Sequence, residues 1–230
     1  IKQVKGRVVM DVGGYVGMSS IGFLNFNLFD NAIIFEPNPN SFSLIEKNIK
    51  QNNFSDQITA FNVALSNKNS ELLMELSHKN FGDHRIRQEG PVQEGHYHEE
   101  VRKIISVDSV TLDDFIKKNP QINFKNISMV WMDIQGHEGK FLQGANNFLS
   151  SQKIPVVMEF WPYGILRSGT TKNEFLENLV KLFTHFYIVD NEFTELQNIL
   201  NVEKNLMNVP KRLQVAIIWL LLIKIKKIET

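Results

Sequence analysis

Cysteine is absent from the 230 residues. That excludes a disulfide framework and any zinc site built on thiolates, and it fits a reducing compartment. Net charge is absent as well: 25 Lys and Arg balance 25 Asp and Glu. The basic footprint of a nucleic-acid binder is missing at the level of the whole chain, so nucleic acid is not an expected partner. No apolar run reaches the ~20 residues that span a bilayer. The longest, Leu213 to Ile223, has Lys211 and Arg212 before it and Lys224, Lys226 and Lys227 after it. Two readings of it stay open: a buried terminal helix or strand, or an interfacial anchor over 211–227 with basic flanks. The first apolar run, Val8 to Met10, is too short for the core of a secretory signal, and a cytoplasmic location is expected. The sequence begins at Ile1, as a fragment or processed chain would. Its length suits one well-buried α/β domain.

Apolar runs of strand length alternate with stretches of helical spacing. Val8 to Met10 reads as a buried strand, followed by the glycine-rich turn Gly13-Gly14-Tyr15-Val16-Gly17 and a helix from about Ser19. Ala32 to Phe35 is a second strand; Phe42, Ile45 and Ile49 then recur on one helical face. Ile58 to Ala64 reads as a third strand, Leu72 to Leu76 and Ile104 to Val107 as two more. Thr111 caps a helix, Ser128 to Met132 is a strand, and Gly136 to Leu149 is one amphipathic helix. Ile154 to Met158 is the next strand; Thr171-x-x-Glu174 is a capping box, and Phe186 to Val189 closes the core. This order predicts a mainly parallel sheet with helices on both faces. One domain over 1–190 is expected, with a hairpin-like insertion or lid at 69–107 and a C-terminal extension over 191–230.

Ligands on open parallel sheets bind beyond the carboxyl ends of the strands. Asp11, Glu36, Asp133 and Glu159 each follow or end an apolar run there. One such acid is an ordinary cap or turn residue; four at one edge, beside a glycine turn, suggest a site. Glycines let backbone amides approach a ligand, and the helix after Gly17 offers unpaired N–H groups. Glu36 lies 19 residues beyond Gly17 and is placed to accept bonds from ribose hydroxyls. The pair reads as a nucleoside site. A pyrophosphate cofactor wants G-x-G-x-x-G, and Val12 occupies the first glycine position. Asp11 would repel a pyrophosphate and suits the ammonium and sulfonium charges of S-adenosylmethionine.

Asp11-Val12-Gly13-x-x-x-Gly17 with Glu36-Pro37-Asn38-Pro39 resembles the first motifs of class I methyltransferases, in particular the FkbM-type family. Asn62-Val63-Ala64-Leu65-Ser66, the stretch Val107 to Phe115, and Asp133-Ile134-Gln135-Gly136-His137-Glu138 with Phe141-Leu142-Gln143-Gly144-Ala145 extend the resemblance over about 8–160. It implies a Rossmann-like α/β methyltransferase fold and O-methylation of a sugar, a glycan-linked group or a secondary metabolite. It also implies S-adenosylmethionine as cofactor, with Asp11, Gly13 and Gly17 bordering its methionine part, Glu36 holding the ribose, Asn62 and Ala64 near the adenine, and Gly14, Tyr15 and Pro37 also in the cofactor site. Two positions depart from the family pattern: Tyr15, where Asn or a small residue is usual, and Gln135, where Glu is usual.

An alcohol acceptor has to lose a proton, so a general base is sought. Asp133, His137 and Glu159 are the catalytic candidates, with Asp133 also bordering the cofactor. Glu138 is either a helix cap or a substrate contact. Glu159 leads into Phe160-Trp161-Pro162-Tyr163, which lines an acceptor pocket or closes the core. Asn80, Asp83, His84 and Trp161 are lid or substrate candidates, because Asn80-Phe81-Gly82-Asp83-His84-Arg85 joins a Gly hinge to polar groups. His78, His84, His96 and His98 fall in the insertion; His96-x-His98 has chelating spacing, but a solvent-facing loop is the simpler reading, and no metal is expected. The rival functions are an NAD-dependent oxidoreductase and a non-catalytic binder on a degenerate methyltransferase fold.

Overall fold

The protein is described from a computed structural model, covering residues 8–87, 98–189, 195–204 and 218–224. Eight strands form the main sheet, in the order β11-β10-β12-β9-β8-β1-β2-β3. At its centre are β1 (Val8–Val12), β2 (Asn31–Phe35), β3 (Ile58–Phe61), β8 (Ile127–Met132) and β9 (Val156–Phe160), all parallel to their neighbours in this group. Residues of β1 and β2 alternate between two apolar layers. Val9 and Ile34 face the layer under α1 (Met18–Asn25) and α2 (Pro39–Gln51), whereas Met10 and Phe35 face the other. That second layer lies under α3 (Leu112–Lys118), α4 (Glu138–Gly144), α5 (Asn146–Ser151), α6 (Pro162–Arg167) and α7 (Lys172–Leu182). Both faces are covered, which is why these strands read as continuous apolar runs.

The helix ends follow the sequence. Asn38 caps α2 through the Asn40 N–H with Pro39 in its first turn, Thr111 accepts from the Asp114 N–H, and Thr171 and Glu174 complete both bonds of a capping box. Three segments differ from expectation. The third strand stops at Phe61, because the Asn62 amide donates to Glu36 O and Pro37 O and draws the chain out of the ladder. The next residues form β4 (Ala64–Leu65), in a second sheet. The helix drawn over Gly136 to Leu149 is two helices, parted at Ala145. The Trp161-Pro162-Tyr163 stretch opens α6, with Pro162 in its first turn.

The second sheet has the order β4-β7-β5-β6, where β5 is Ser70–Leu76, β6 Arg85–Ile86 and β7 Lys103–Val110. β5 pairs antiparallel with both β7 and β6, so the segment read as a hairpin-like insertion is a hairpin with a third short strand. At the other end of the chain, β10 (His185–Val189) and β11 (Gln197–Asn198) extend the main sheet, and β12 (Ile218–Ile223) enters it antiparallel between β9 and β10. Leu220 and Leu222 are fully buried there. Of the two readings of the apolar segment, the described part is the buried strand, and the sheet draws on residues well beyond 190. Residues 211–217 and the flanking Lys226 and Lys227 lie outside the described residues, as does His96. Among the described residues no helix is long and apolar enough to cross a membrane.

Candidate active site

Strand order reverses at β1: β2 and β3 lie on one side, β8 and β9 on the other. The carboxyl ends of such strands part and leave a crevice. A cleft lies there, the place where ligands bind on open parallel sheets. Its floor is Val12, Gly13 and Tyr15; Glu36 and Pro37 form one wall, Asp133, Ile134 and Gln135 the other, and Val63 and Ala64 close one side. Met74, Phe81, Gly82, His84, Arg85 and Ile86 of the second sheet and its loop roof it.

The floor is built by backbone. The Gly13 and Gly14 N–H groups both donate to Phe35 O. Gly13 has φ +86, and a Cβ on it would stand 2.1 Å from Asp133 O. Only glycine lets the ends of β1 and β8 approach this closely. Gly14 is equally constrained by Ile34, and Gly17 (φ +81) starts α1; neither lines the cleft. Tyr15 takes a left-handed conformation (φ 50), and its N–H donates to Glu36 Oε2 at 2.9 Å. The Asn38 N–H holds Glu36 Oε1 at 2.8 Å. Burial pushes the Glu36 carboxyl up to about 7 despite these two bonds.

Asp11 is placed otherwise than the sequence suggests. It sits within β1, not in the turn, and does not line the cleft. Its carboxylate accepts from Ser20 Oγ of α1 at 2.6 Å, so it ties strand to helix behind the floor. Burial raises it to about 6, with the Asp133 charge adding to the push. Asn62 likewise braces the β2 end rather than facing the cleft, while Ala64 faces it.

The opposite wall centres on an amide. Gln135 (φ 52) donates from one nitrogen, Nε2, to Asp133 Oδ1 at 2.6 Å and to Glu159 Oε2 at 3.1 Å. Burial and then the charges of Asp133, Glu138 and Asp83 push Glu159 up to about 9, and burial raises Asp133 as well. Glu159 therefore keeps its proton at neutral pH. Asp133 lines the cleft; Glu159 does not. Glu138, the first residue of α4, is not its cap, a position His137 holds: it is fully buried, and its Oε1 accepts from the Ile134 and Gly136 N–H groups at 3.3 Å each, fixing the 133–137 turn. His137 lines the cleft, but burial and then Lys140 push its imidazole down to about 3, and its Nε2 lies 2.9 Å from Ser66 Oγ. Such an imidazole stays neutral and is a poor base at neutral pH.

The roof is anchored by a charge network that sequence patterning misses. Arg85 meets Asp83 at 2.7 Å, Glu99 at 2.8 Å and Glu75 at 3.4 Å, and stacks 4.7 Å from the Trp161 ring centroid. Arg102 joins Asp83 and Glu75, and Arg167 joins Glu99 at 2.6 Å. Asp83 and Trp161, expected at the acceptor, are absent from the cleft lining because they hold these arginines. The Asn80 side chain accepts from the Gly82 N–H and also stays out of the lining; His84 lines it, with Nδ1 accepting from the Ser77 N–H. Buried charge pairs carry no sequence period, so spacing alone does not reveal this network. Among the described residues no group of three or more His, Asp or Glu side chains is arranged to hold a metal ion.

The geometry agrees with comparison to known proteins. The Methyltransferase FkbM domain matches residues 11–199. An FkbM methyltransferase from Methylobacillus flagellatus superposes with a TM-score of 0.54 at 15% identity, covering 94% of this chain and 43% of that one. This chain thus spans less than half the length of that protein. A precorrin-6y C5,15-methyltransferase from Geobacter metallireducens gives 0.47 at 12% identity (96% and 81% covered), and TrmK from M. capricolum 0.45 at 13% (96% and 66%). No curated protein matches. The sheet order, the glycine floor and the family match agree: the fold is that of the Rossmann-like methyltransferases, and the chain belongs to the FkbM methyltransferase family.

Proposed function

We propose that this protein transfers the methyl group of S-adenosylmethionine to a hydroxyl of a sugar, a glycan-linked group or a secondary metabolite. One observation carries the reading: Glu36 at the end of β2 and Asp133 after β8 face one cleft across the Gly13 turn. The donor set fits this cofactor. Each Glu36 oxygen holds one backbone N–H and retains capacity for a ribose hydroxyl. Asp133 supplies negative charge to a cationic ligand, and Arg85, the cation in the lining, is already matched by Glu75, Asp83 and Glu99. A pyrophosphate finds no such match.

When bound, the cofactor supplies an electrophilic methyl carbon on a sulfonium; alignment with the acceptor oxygen provides much of the catalysis. Asp133 takes the acceptor's proton. Its Oδ1 is held by Gln135, which leaves Oδ2 to receive the hydroxyl hydrogen. Glu159, protonated on the other side of the same amide, keeps a second charge out of the site. The roof residues around Phe81 and His84 reduce water access above it.

Calorimetric titration tests the cofactor. S-adenosylhomocysteine should bind and NADH should not, and Glu36→Gln should weaken S-adenosylhomocysteine by about tenfold or more, the loss of charge-assisted bonds. Tight NADH binding with none for S-adenosylhomocysteine would overturn the reading.

A further inference from the structure

A second hollow, about 360 Å³, shares Ile86 and His137 with the cleft. Its character is opposite. Lys68, Arg87 and Lys140 line it together with Ser66, Asn67 and Ser168, and among the described residues no carboxylate does. The three cations come from separate elements: the turn between β4 and β5, the residue after β6, and the first turn of α4. The fold, not a local run of sequence, brings them together. Glu174, whose carboxyl pKa Lys140 helps to lower, belongs to the Thr171 capping box.

His137 forms part of the wall between the two hollows. It is buried, and its Nδ1 has no hydrogen-bond partner. Buried polar atoms of native proteins almost always find partners. In the tautomer where Ser66 Oγ–H donates to Nε2, His137 Nδ1 carries the ring proton and is a donor. A neutral donor beside lysine ammonium groups is the chemistry that receives an oxyanion.

We propose that this hollow is an anion subsite that holds a phosphate or carboxylate group of the acceptor whose hydroxyl reaches Asp133 in the adjoining cleft. The acceptor is then an anionic hydroxyl compound, such as a phosphorylated sugar or a sugar acid, and not a neutral one. The acceptor part rests on the methyl-transfer reading; the anion subsite itself is tested without turnover.

Inorganic phosphate and acetate are titrated by calorimetry into the full chain. One saturable site is expected for at least one of them. Lys68→Ala or Lys140→Ala should weaken it by about tenfold, the scale of one charge-assisted hydrogen bond, while S-adenosylhomocysteine affinity stays unchanged. Glucose 6-phosphate and glucuronate, each set against glucose, separate the two sources of negative charge. Preference for either over glucose, lost with the lysines, supports the acceptor class. Absence of saturable anion binding, or binding indifferent to both lysine substitutions, overturns the subsite. Equal binding of all three sugars overturns the acceptor assignment. Failure of the methyl-transfer reading shows separately, in the S-adenosylhomocysteine titration of the unsubstituted protein.

Discussion

Asp133 and Glu159 share one hydrogen-bond donor, Gln135 Nε2, and that sharing divides their roles. An amide stabilises one ionised carboxylate without adding charge, and the more crowded acid, Glu159, keeps its proton to about 9. Asp133→Asn should weaken S-adenosylmethionine and, at saturating cofactor, still lower the transfer rate by about 10²–10⁴, the range for loss of a general base. Gln135→Glu should act differently: a third acid beside Asp133 raises its pKa, so the rise of kcat with pH moves to higher pH while activity returns at the alkaline end. A pH–rate profile of both variants checks this, and an unshifted profile for Gln135→Glu would remove the amide from the mechanism. Much of this wall was legible in the sequence, since Asp133, Gln135 and Glu138 stood in a recognisable motif. Which acid faces the cleft was not. Asp11 and Asp133 both end apolar runs, yet one is turned to Ser20 behind the floor and the other lines the cleft. That difference depends on where α1 packs, which no spacing encodes.

Elements were read well where both faces are buried and less well where the chain changes partner. β1, β2, β8 and β9 lie in a double-covered sheet, so their apolar runs stand out. The Ile58 to Ala64 run looked continuous, but Asn62 leaves the ladder for two carbonyls at the end of β2, and β4 joins another sheet. The capping residues Thr111 and Thr171 were legible because their signal is local. β12 is the opposite case. Its apolar character was plain, but its place between β9 and β10 follows from sheet closure at long range. Leu222 is fully buried between these strands in the same apolar cluster as Phe186 and Met158. Leu222→Ala should therefore cost about 2–5 kcal/mol in chemical denaturation, as expected for a core cavity. An interfacial anchor would give almost no change in solution and a loss of vesicle binding instead.

At the scale of the whole molecule, the site concentrates acid in a low-dielectric region, and this sets how stability responds to pH. Burial raises Glu36 and Glu138 to about 7 and Glu159 to about 9, all from an ordinary value of 4.5. For a carboxyl raised in the folded state, the folded form binds the proton more tightly. Its stabilising contribution is complete below 4.5 and is lost as pH rises through 7 and then 9. His137 works the other way: burial lowers it from 6.5 to about 3, so it destabilises the fold only below 6.5 and is silent above. Between pH 6.5 and 9 the carboxyls act unopposed by His137, and the unfolding free energy of the ligand-free protein should fall across that window. Glu159→Gln removes the group with the highest pKa and should flatten the upper half of the decline, between about 7 and 9. A cationic ligand at Asp133 should lower the pKa of these carboxyls and release protons on binding near neutral pH. Calorimetry in buffers of different ionisation enthalpy reads that release directly. Denaturation curves at successive pH values, with and without S-adenosylmethionine, read the same linkage as stability. A flat profile for the ligand-free protein between pH 6.5 and 9 would show that these carboxyls titrate as exposed groups do.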